Sequence, residues 1–273
     1  MRTIVITGAS DGIGAAAARR LAADGEQVVV VGRSPDKTAA VAAELGAPFH
    51  VADFARLAEV RSLAERLAAD HARIDVLVNN AGGIMGEREL TEDGFEKTLQ
   101  VNHLAPFLLT NLLMDRLLTS RATVVNTSSV AARLFGRMDL DDLDNHRRYT
   151  PEKAYGDAKL ANVLFTRELH RRLRARGLTA AAFHPGGVAT NFADGSTSAM
   201  RLVYRTPLRH VFLMSPDRGA RTLLWLLARG SRWRSGEYYE KKKVARTNPQ
   251  ADDADLARGL WERSAEMVRV PAV

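Results

Sequence analysis

Short apolar runs alternate with longer amphipathic stretches along most of the chain. Thr3-Ile4-Val5-Ile6 predicts a first buried strand, and a glycine-rich turn then leads into an alanine-rich helix ending at Ala23. The same rhythm predicts a strand at Gln27 to Val31, a helix at Pro35 to Leu45, a strand at Pro48 to Ala52 and a helix at Leu57 to Ala69. A fourth strand follows at Ile74 to Val78. Thr91-Glu92-Asp93-Gly94 opens a helix that carries on to Leu118, before a fifth strand at Thr123 to Asn126. From Glu152 to Arg176 almost nothing breaks a helix until Gly177, and Ala161, Leu164, Phe165, Leu169 and Leu173 mark one apolar face. Asp217 to Arg229 reads as a helix, Glu237-Tyr238-Tyr239 as a last strand, and Leu256 through Val268 as an amphipathic helix folding back on the core. Strands alternating with helices predict an α/β fold, a doubly wound parallel sheet of about seven strands with helices on both faces.

Composition narrows the chemistry. The 273 residues are 46% hydrophobic and 26% charged, which fits one α/β domain over 1–273. A cofactor half is expected over about 1–130 and a catalytic and substrate half over about 131–273. The absence of cysteine excludes disulfides, thiolate nucleophiles and cysteine metal sites. The seven histidines show no metal-binding spacing, so no metal is expected. The net charge of +7 raises nucleic acid as a partner, but Arg167, Arg171, Arg172, Arg174 and Arg176 crowd a helix C-terminus, where cations suit the dipole. These arginines and the run Lys241-Lys242-Lys243 read as solvated surface, and nucleic acid is not expected. The longest apolar run, Leu223 to Ala228, is far short of a membrane span. A strand beginning at Arg2 leaves no room for a targeting segment, and a cytoplasmic location is expected.

Candidate chemistry collects at the predicted carboxyl ends of the strands. Thr7-Gly8-Ala9-Ser10-Asp11-Gly12-Ile13-Gly14 joins the first strand to the first helix, where a dinucleotide diphosphate meets backbone amides. The spacing is Gly-x-x-x-Gly-x-Gly, so Gly8, Ser10, Asp11, Gly12, Ile13 and Gly14 are expected to line the cofactor. After the second strand stands Gly32-Arg33-Ser34, where NAD-binding proteins place a carboxylate; Arg33 suits a 2′-phosphate instead, predicting NADP(H) over NAD(H). Asp53, closing the third strand, is positioned to meet an adenine edge, with Phe54 beside it. Asn79-Asn80-Ala81-Gly82-Gly83 ends the fourth strand, its glycines allowing close approach and its asparagines able to tie neighbouring strands. Thr127-Ser128-Ser129 ends the fifth. Tyr155 and Lys159 lie at i and i+4 on the long helix, so the ammonium can lower the phenol pKa from its usual value of about 10 and prepare it for proton transfer.

With Thr7 to Gly14, Asn79 to Gly82, Asn102, Ser128-Ser129 and Tyr155/Lys159 in that order, the chain resembles the short-chain dehydrogenase/reductase family over essentially its whole length. Val101 to Thr110, Lys159-Leu160-Ala161-Asn162, His184 to Thr190 and Ser235 to Tyr239 resemble the retinol dehydrogenase-like reductases in particular. The resemblance implies a Rossmann-type fold and a proton relay. Tyr155 protonates the carbonyl oxygen, Lys159 lowers the tyrosine pKa and binds the nicotinamide ribose, a serine hydrogen-bonds the substrate oxygen, and Asn102 holds a water leading to solvent. Alignment to the family favours Ser129, and strand alternation leaves Ser128 as the second choice. Cofactor contacts are implied for Asn80, Ala81, Gly82, Pro185, Gly186, Val188 and Thr190. Relatives pair through the two long helices, here containing Asn102 and Tyr155, which points to a homodimer or homotetramer. The light-driven protochlorophyllide reductases share much of the pattern but carry a functional cysteine, absent here.

The long gap from Ser129 to Tyr155 predicts an extra rim over Leu134 to Thr150. A substrate lid is expected over about 191–214, where apolar residues from Phe192 to Met214 mix with Arg201, Arg205, Arg209 and His210. Plain packing and contact with an anionic membrane are the rival readings of that segment. The expected activity is NADP(H)-dependent reduction of a lipophilic small-molecule aldehyde or ketone to the alcohol. The alternative is a non-catalytic NADP(H)-binding regulator or scaffold on the same fold.

Overall fold

A computed structural model describes residues 1–186, 215–228 and 232–271. The first half runs β1 (Thr3–Thr7), α1 (Gly12–Ala23), β2 (Gln27–Gly32), α2 (Pro35–Leu45), β3 (Phe49–Val51), α3 (Leu57–Asp70) and β4 (Val76–Asn79). Then come α4 (Lys97–Leu99), a π-helical turn over Gln100–Leu104, α5 (Ala105–Leu112), α6 (Met114–Thr119) and β5 (Thr123–Thr127). The second half holds α7 (Ala131–Leu134), α8 (Pro151–Leu173), β6 (Thr179–His184), α9 (Pro216–Leu227), β7 (Tyr238–Glu240), β8 (Lys243–Val244) and α10 (Ala254–Met267).

The eight strands form one sheet in the order β3-β2-β1-β4-β5-β6-β7-β8, parallel except for the β7–β8 pair. The expectation of about seven strands missed only β8, two residues returned by the tight Lys241-Lys242 turn at positive φ. Strand side chains alternate between two cores. Ile4, Ile6, Val76, Val78 and Phe183 join α1 and α9 on one face, while Val5, Leu77, Val124 and Ala182 join α3, α5 and α8 on the other. Chain order reverses between β1 and β4, leaving a crevice at their carboxyl ends where ligands bind in open α/β sheets.

Local departures have local causes. The helix expected from Thr91 begins at Lys97, because Thr91–Glu96 closes a turn with Thr91 N donating to Phe95 O at 2.9 Å. Buried Glu96 then caps the helix, its carboxylate accepting from Thr98 N and Leu99 N at 2.8 Å each. That helix also breaks at Leu113, between α5 and α6. The arginines of α8 are not simply solvated: Arg171 and Arg172 both pair with buried Glu168, Arg167 bonds Ala251 O, and Arg172 lies 4.9 Å from the Trp261 ring centre. Arg172 thereby fastens α10 to α8, and Arg167 ties α8 to the turn that precedes α10. Trp261 packs at 5.1 Å from Phe107 and 5.6 Å from Phe165, so α10 covers the outward sides of α5 and α8. Among the described residues no helix is long and apolar enough to cross a membrane. The lid expected over 191–214, with Val188 and Thr190, lies outside the described residues.

Candidate active site

The crevice is built on a knot between β1 and β4. Thr7 Oγ1 accepts from Asn80 N and Ala81 N at 3.0 Å, and Asn80 Nδ2 donates to Thr7 O at 3.0 Å. Asn79 ties the next pair of strands by donating to Asn126 Oδ1 at 2.8 Å. The loop from Gly8 to Gly14 therefore lies directly on Asn80 and Ala81. A side-chain carbon at Gly14 would come within 2.8 Å of Asn80 Nδ2 and the Gly8 carbonyl carbon, so only glycine leaves this cradle open. Asp11 caps α1 through Gly12 N at 2.7 Å, and the N-terminus of α1 closes the loop, the place where helix amides and positive potential suit a diphosphate. These residues fit a dinucleotide.

At the adenosine end, Ser10 packs against Gly32, and exposed Arg33 follows immediately. Lys37 Nζ lies 3.4 Å from Asp11 Oδ2 in the same corner. Asp53 is half-buried, its Oδ1 accepting from Ala55 N at 2.9 Å. The Phe54 side chain is buried in the core, and its carbonyl accepts from Gln100 Nε2 at 3.3 Å.

Tyr155 and Lys159 emerge from α8, whose sides are buried by the sheet and by α10. Tyr155 packs on Ile84 and Ala131 and is 4% exposed. Lys159 is 1% exposed, with Nζ 5.4 Å from the Tyr155 ring centre and donating to Thr127 O at 3.2 Å. Burial lowers the lysine from 10.5 to about 7. Ser128 turns inward: its Oγ donates to Lys159 O at 2.7 Å. Ser129 is half-buried and its Oγ accepts from Ala131 N at 3.2 Å, on the segment that touches Tyr155.

Asn102 stands in the π-helical turn. Its side chain is committed to Gly83 N, Gly83 O and Thr98 O at 2.9–3.0 Å, while its backbone carbonyl accepts from Asn162 Nδ2 at 3.0 Å. Asn162 Nδ2 also donates to Thr127 O at 3.1 Å. Asn102, Asn162, Thr127 and Lys159 thus form one buried polar chain. Sequence spacing alone does not assign Asn162 a role, although its i, i+3 relation to Lys159 on one helix face points to it. His103 is packed rather than aimed at the crevice, bonding Ser264 Oγ at 2.9 Å and Asn162 Oδ1 at 3.4 Å, and burial lowers it to about 4. Pro185 and Gly186 follow the carboxyl end of β6, and the cofactor contacts expected beyond them fall outside the described residues.

Comparison with known proteins agrees with this architecture. The family model "short chain dehydrogenase" matches residues 2–201. The chain is 41% identical to the "Putative daunorubicin C-13 ketoreductase DnrU" of Streptomyces sp. (strain C5), over 98% of this chain and 92% of that protein. It is 37% identical to human retinol dehydrogenase 13, over 99% of this chain and 86% of the relative. Among solved structures, an uncharacterized protein from Mycobacterium paratuberculosis superposes with a TM-score of 0.80 at 35% identity, covering 100% of this chain and 95% of that one. An alcohol dehydrogenase from Thermococcus sibiricus, complexed with 5-hydroxy-NADP, gives 0.67 at 26% identity, covering 88% and 95%.

Proposed function

The chain belongs to the short-chain dehydrogenase family, and on that premise we propose that it reduces a lipophilic aldehyde or ketone to the alcohol with NADPH, using Tyr155 as the acid. The observation that carries this reading is the burial of Tyr155 beside Lys159, at 5.4 Å, next to the segment bearing Ser129. Bound nicotinamide supplies the hydride. The Tyr155 hydroxyl gives its proton to the carbonyl oxygen as negative charge develops there, and the Ser129 hydroxyl donates a hydrogen bond to the same atom. The Lys159 ammonium stabilises the phenolate left behind. Thr127 O holds Lys159 Nζ, and Asn162, donating to the same carbonyl, links it to the Asn102 carbonyl.

Arg33, with Ser10 beside it, supports NADP(H) over NAD(H), because a guanidinium rather than a carboxylate occupies the ribose corner. The names of the relatives, a retinol dehydrogenase and a daunorubicin ketoreductase, favour an extended unsaturated or polycyclic carbonyl compound. Exposed Leu134 and Phe135, close in sequence to Ser129, are in keeping with such a substrate.

The test is NADPH oxidation with retinal, medium-chain alkenals, aromatic ketones, steroids and daunorubicin. Turnover lost in Tyr155→Phe with cofactor binding retained supports the reading. A protein that binds NADPH yet leaves the whole panel unreduced is instead a dinucleotide-binding regulator.

A further inference from the structure

The segment between Ser129 and Tyr155 is fastened at both ends. Near its start, Arg137 N donates to Asp157 Oδ1 at 2.6 Å, and Asp157 Oδ2 receives Lys153 Nζ at 2.5 Å. Lys153 in turn reaches Asn145 Oδ1, farther along the same segment. Gly156 permits this approach: a side-chain carbon there would lie 2.8 Å from Gly136 N and from the Phe135 carbonyl carbon and Cβ. Asn248 Nδ2 secures the same stretch by donating to Gly136 O at 2.6 Å and Ala132 O at 2.9 Å. At the far end, Tyr149 Oη donates to Gly86 O at 3.0 Å, and Glu96 N donates to Asp144 Oδ1 at 2.8 Å. The segment is therefore a strap from Ser129 to the loop that follows β4.

What the strap carries bears on substrate. Ala131 packs on Tyr155 and Ile84; Leu134 is its i+3 neighbour on the same side of that helical turn, and Phe135 leaves the helix at its C-cap with its Cβ against Gly156. Leu134 and Phe135 are exposed, at 60% and 48%. Two large apolar side chains thus stand exposed on a segment that touches Tyr155 through Ala131 and whose placement depends on α8.

We propose that Asp157 is a positioning residue for the carbonyl substrate. By holding Arg137 N and Lys153, it keeps Phe135 and Gly136 against Gly156, so that α7, packed on Tyr155 through Ala131, presents Leu134 as an apolar flank of the substrate mouth. The proposal rests on the carbonyl-reductase reading. Asp157 lies two residues from Tyr155, which turns it about 200° away around the helix, so its carboxylate serves the strap and leaves proton transfer to the tyrosine.

The experiment compares Asp157→Ala with Asp157→Asn, using all-trans-retinal and decanal as probes, alongside NADPH binding by fluorescence and limited trypsin digestion. The alanine variant should raise KM for the carbonyl about tenfold while kcat stays within about threefold and cofactor affinity is unchanged. Trypsin should cut faster after Arg147 and Arg148, which are exposed on the strap. Asparagine keeps an oxygen for Arg137 N and should recover most of both effects. An unchanged KM in the alanine variant, a parallel loss of NADPH binding, or an asparagine variant as impaired as alanine overturns the proposal. If the wild-type protein reduces no carbonyl, the functional reading fails, and unchanged digestion of the alanine variant then overturns the strap as well.

Discussion

Lys159 and Asn162 share one acceptor. Lys159 Nζ and Asn162 Nδ2 both donate to the Thr127 carbonyl, at 3.2 and 3.1 Å, inside a region closed to solvent. One carbonyl at the end of β5 therefore orients both the cation beside Tyr155 and the amide that reaches Asn102. Replacing Asn162 by alanine leaves the Asn102 carbonyl without this donor and takes from the Thr127 carbonyl the second donor that fixes its direction beside Lys159. Activity should fall roughly tenfold, equivalent to about 1.4 kcal/mol, with cofactor affinity little changed. Parallel measurement of kcat and NADPH dissociation checks this.

Burying Lys159 makes stability depend on pH. Its folded-state pKa, about 7, lies below the ordinary 10.5, so between those values the unfolded chain holds a proton that the native chain lacks. The lysine's contribution to stability therefore rises with pH from about 7 to 10.5, by up to about 1.4 kcal/mol per pH unit, and is level below that window. Urea unfolding of the cofactor-free protein and of Lys159→Met, at intervals from neutral to alkaline pH, should show a stability difference that changes in this sense. Parallel curves would mean that the lysine keeps its proton in the native state.

Arg33→Ala should weaken NADPH about tenfold and leave NADH nearly untouched, because only NADPH carries the extra phosphate that a guanidinium grips. Lys37→Met should have a smaller effect on NADPH, since that ammonium is already paired with Asp11 at 3.4 Å. Titration of both cofactors by fluorescence distinguishes the two residues. Equal losses for NADPH and NADH in Arg33→Ala would make the arginine structural.

Trp261→Ala should cost about 3–5 kcal/mol of stability, because the indole is 1% exposed and packs against both Phe107 and Phe165. The same change loosens the cover that α10 provides over α5 and α8, the helices through which relatives were expected to pair. Light scattering on the variant should show more association with rising concentration than the wild type does. Unfolding midpoints supply the stability half of the test.

Much of the fold was legible because the apolar runs of β1, β2, β4 and β5 are continuous, as strands buried on both faces must be. The short edge strand β8 carries no such run, and its return turn uses two lysines where glycine or asparagine would have signalled a hairpin. The delayed start of the helix at Lys97 depends on Glu96, whose cap is buried by distant Asp144 and the strap, a tertiary effect that no local spacing reveals. Within the site, the positions of Tyr155 and Lys159 followed from helical spacing. The orientation of Ser128 toward Lys159 O and the part played by Asn162 needed the packed helix.

The two margins of the sheet are both stubs. One ends in the three residues of β3 and the other in the two of β8, behind a turn of consecutive lysines. Among the described residues neither offers enough unpaired backbone to recruit a strand from another molecule, and the lysine charges repel a second copy at the β8 end. Short margins of this kind, among the described residues, discourage edge-to-edge growth of the eight-stranded sheet as the protein is concentrated.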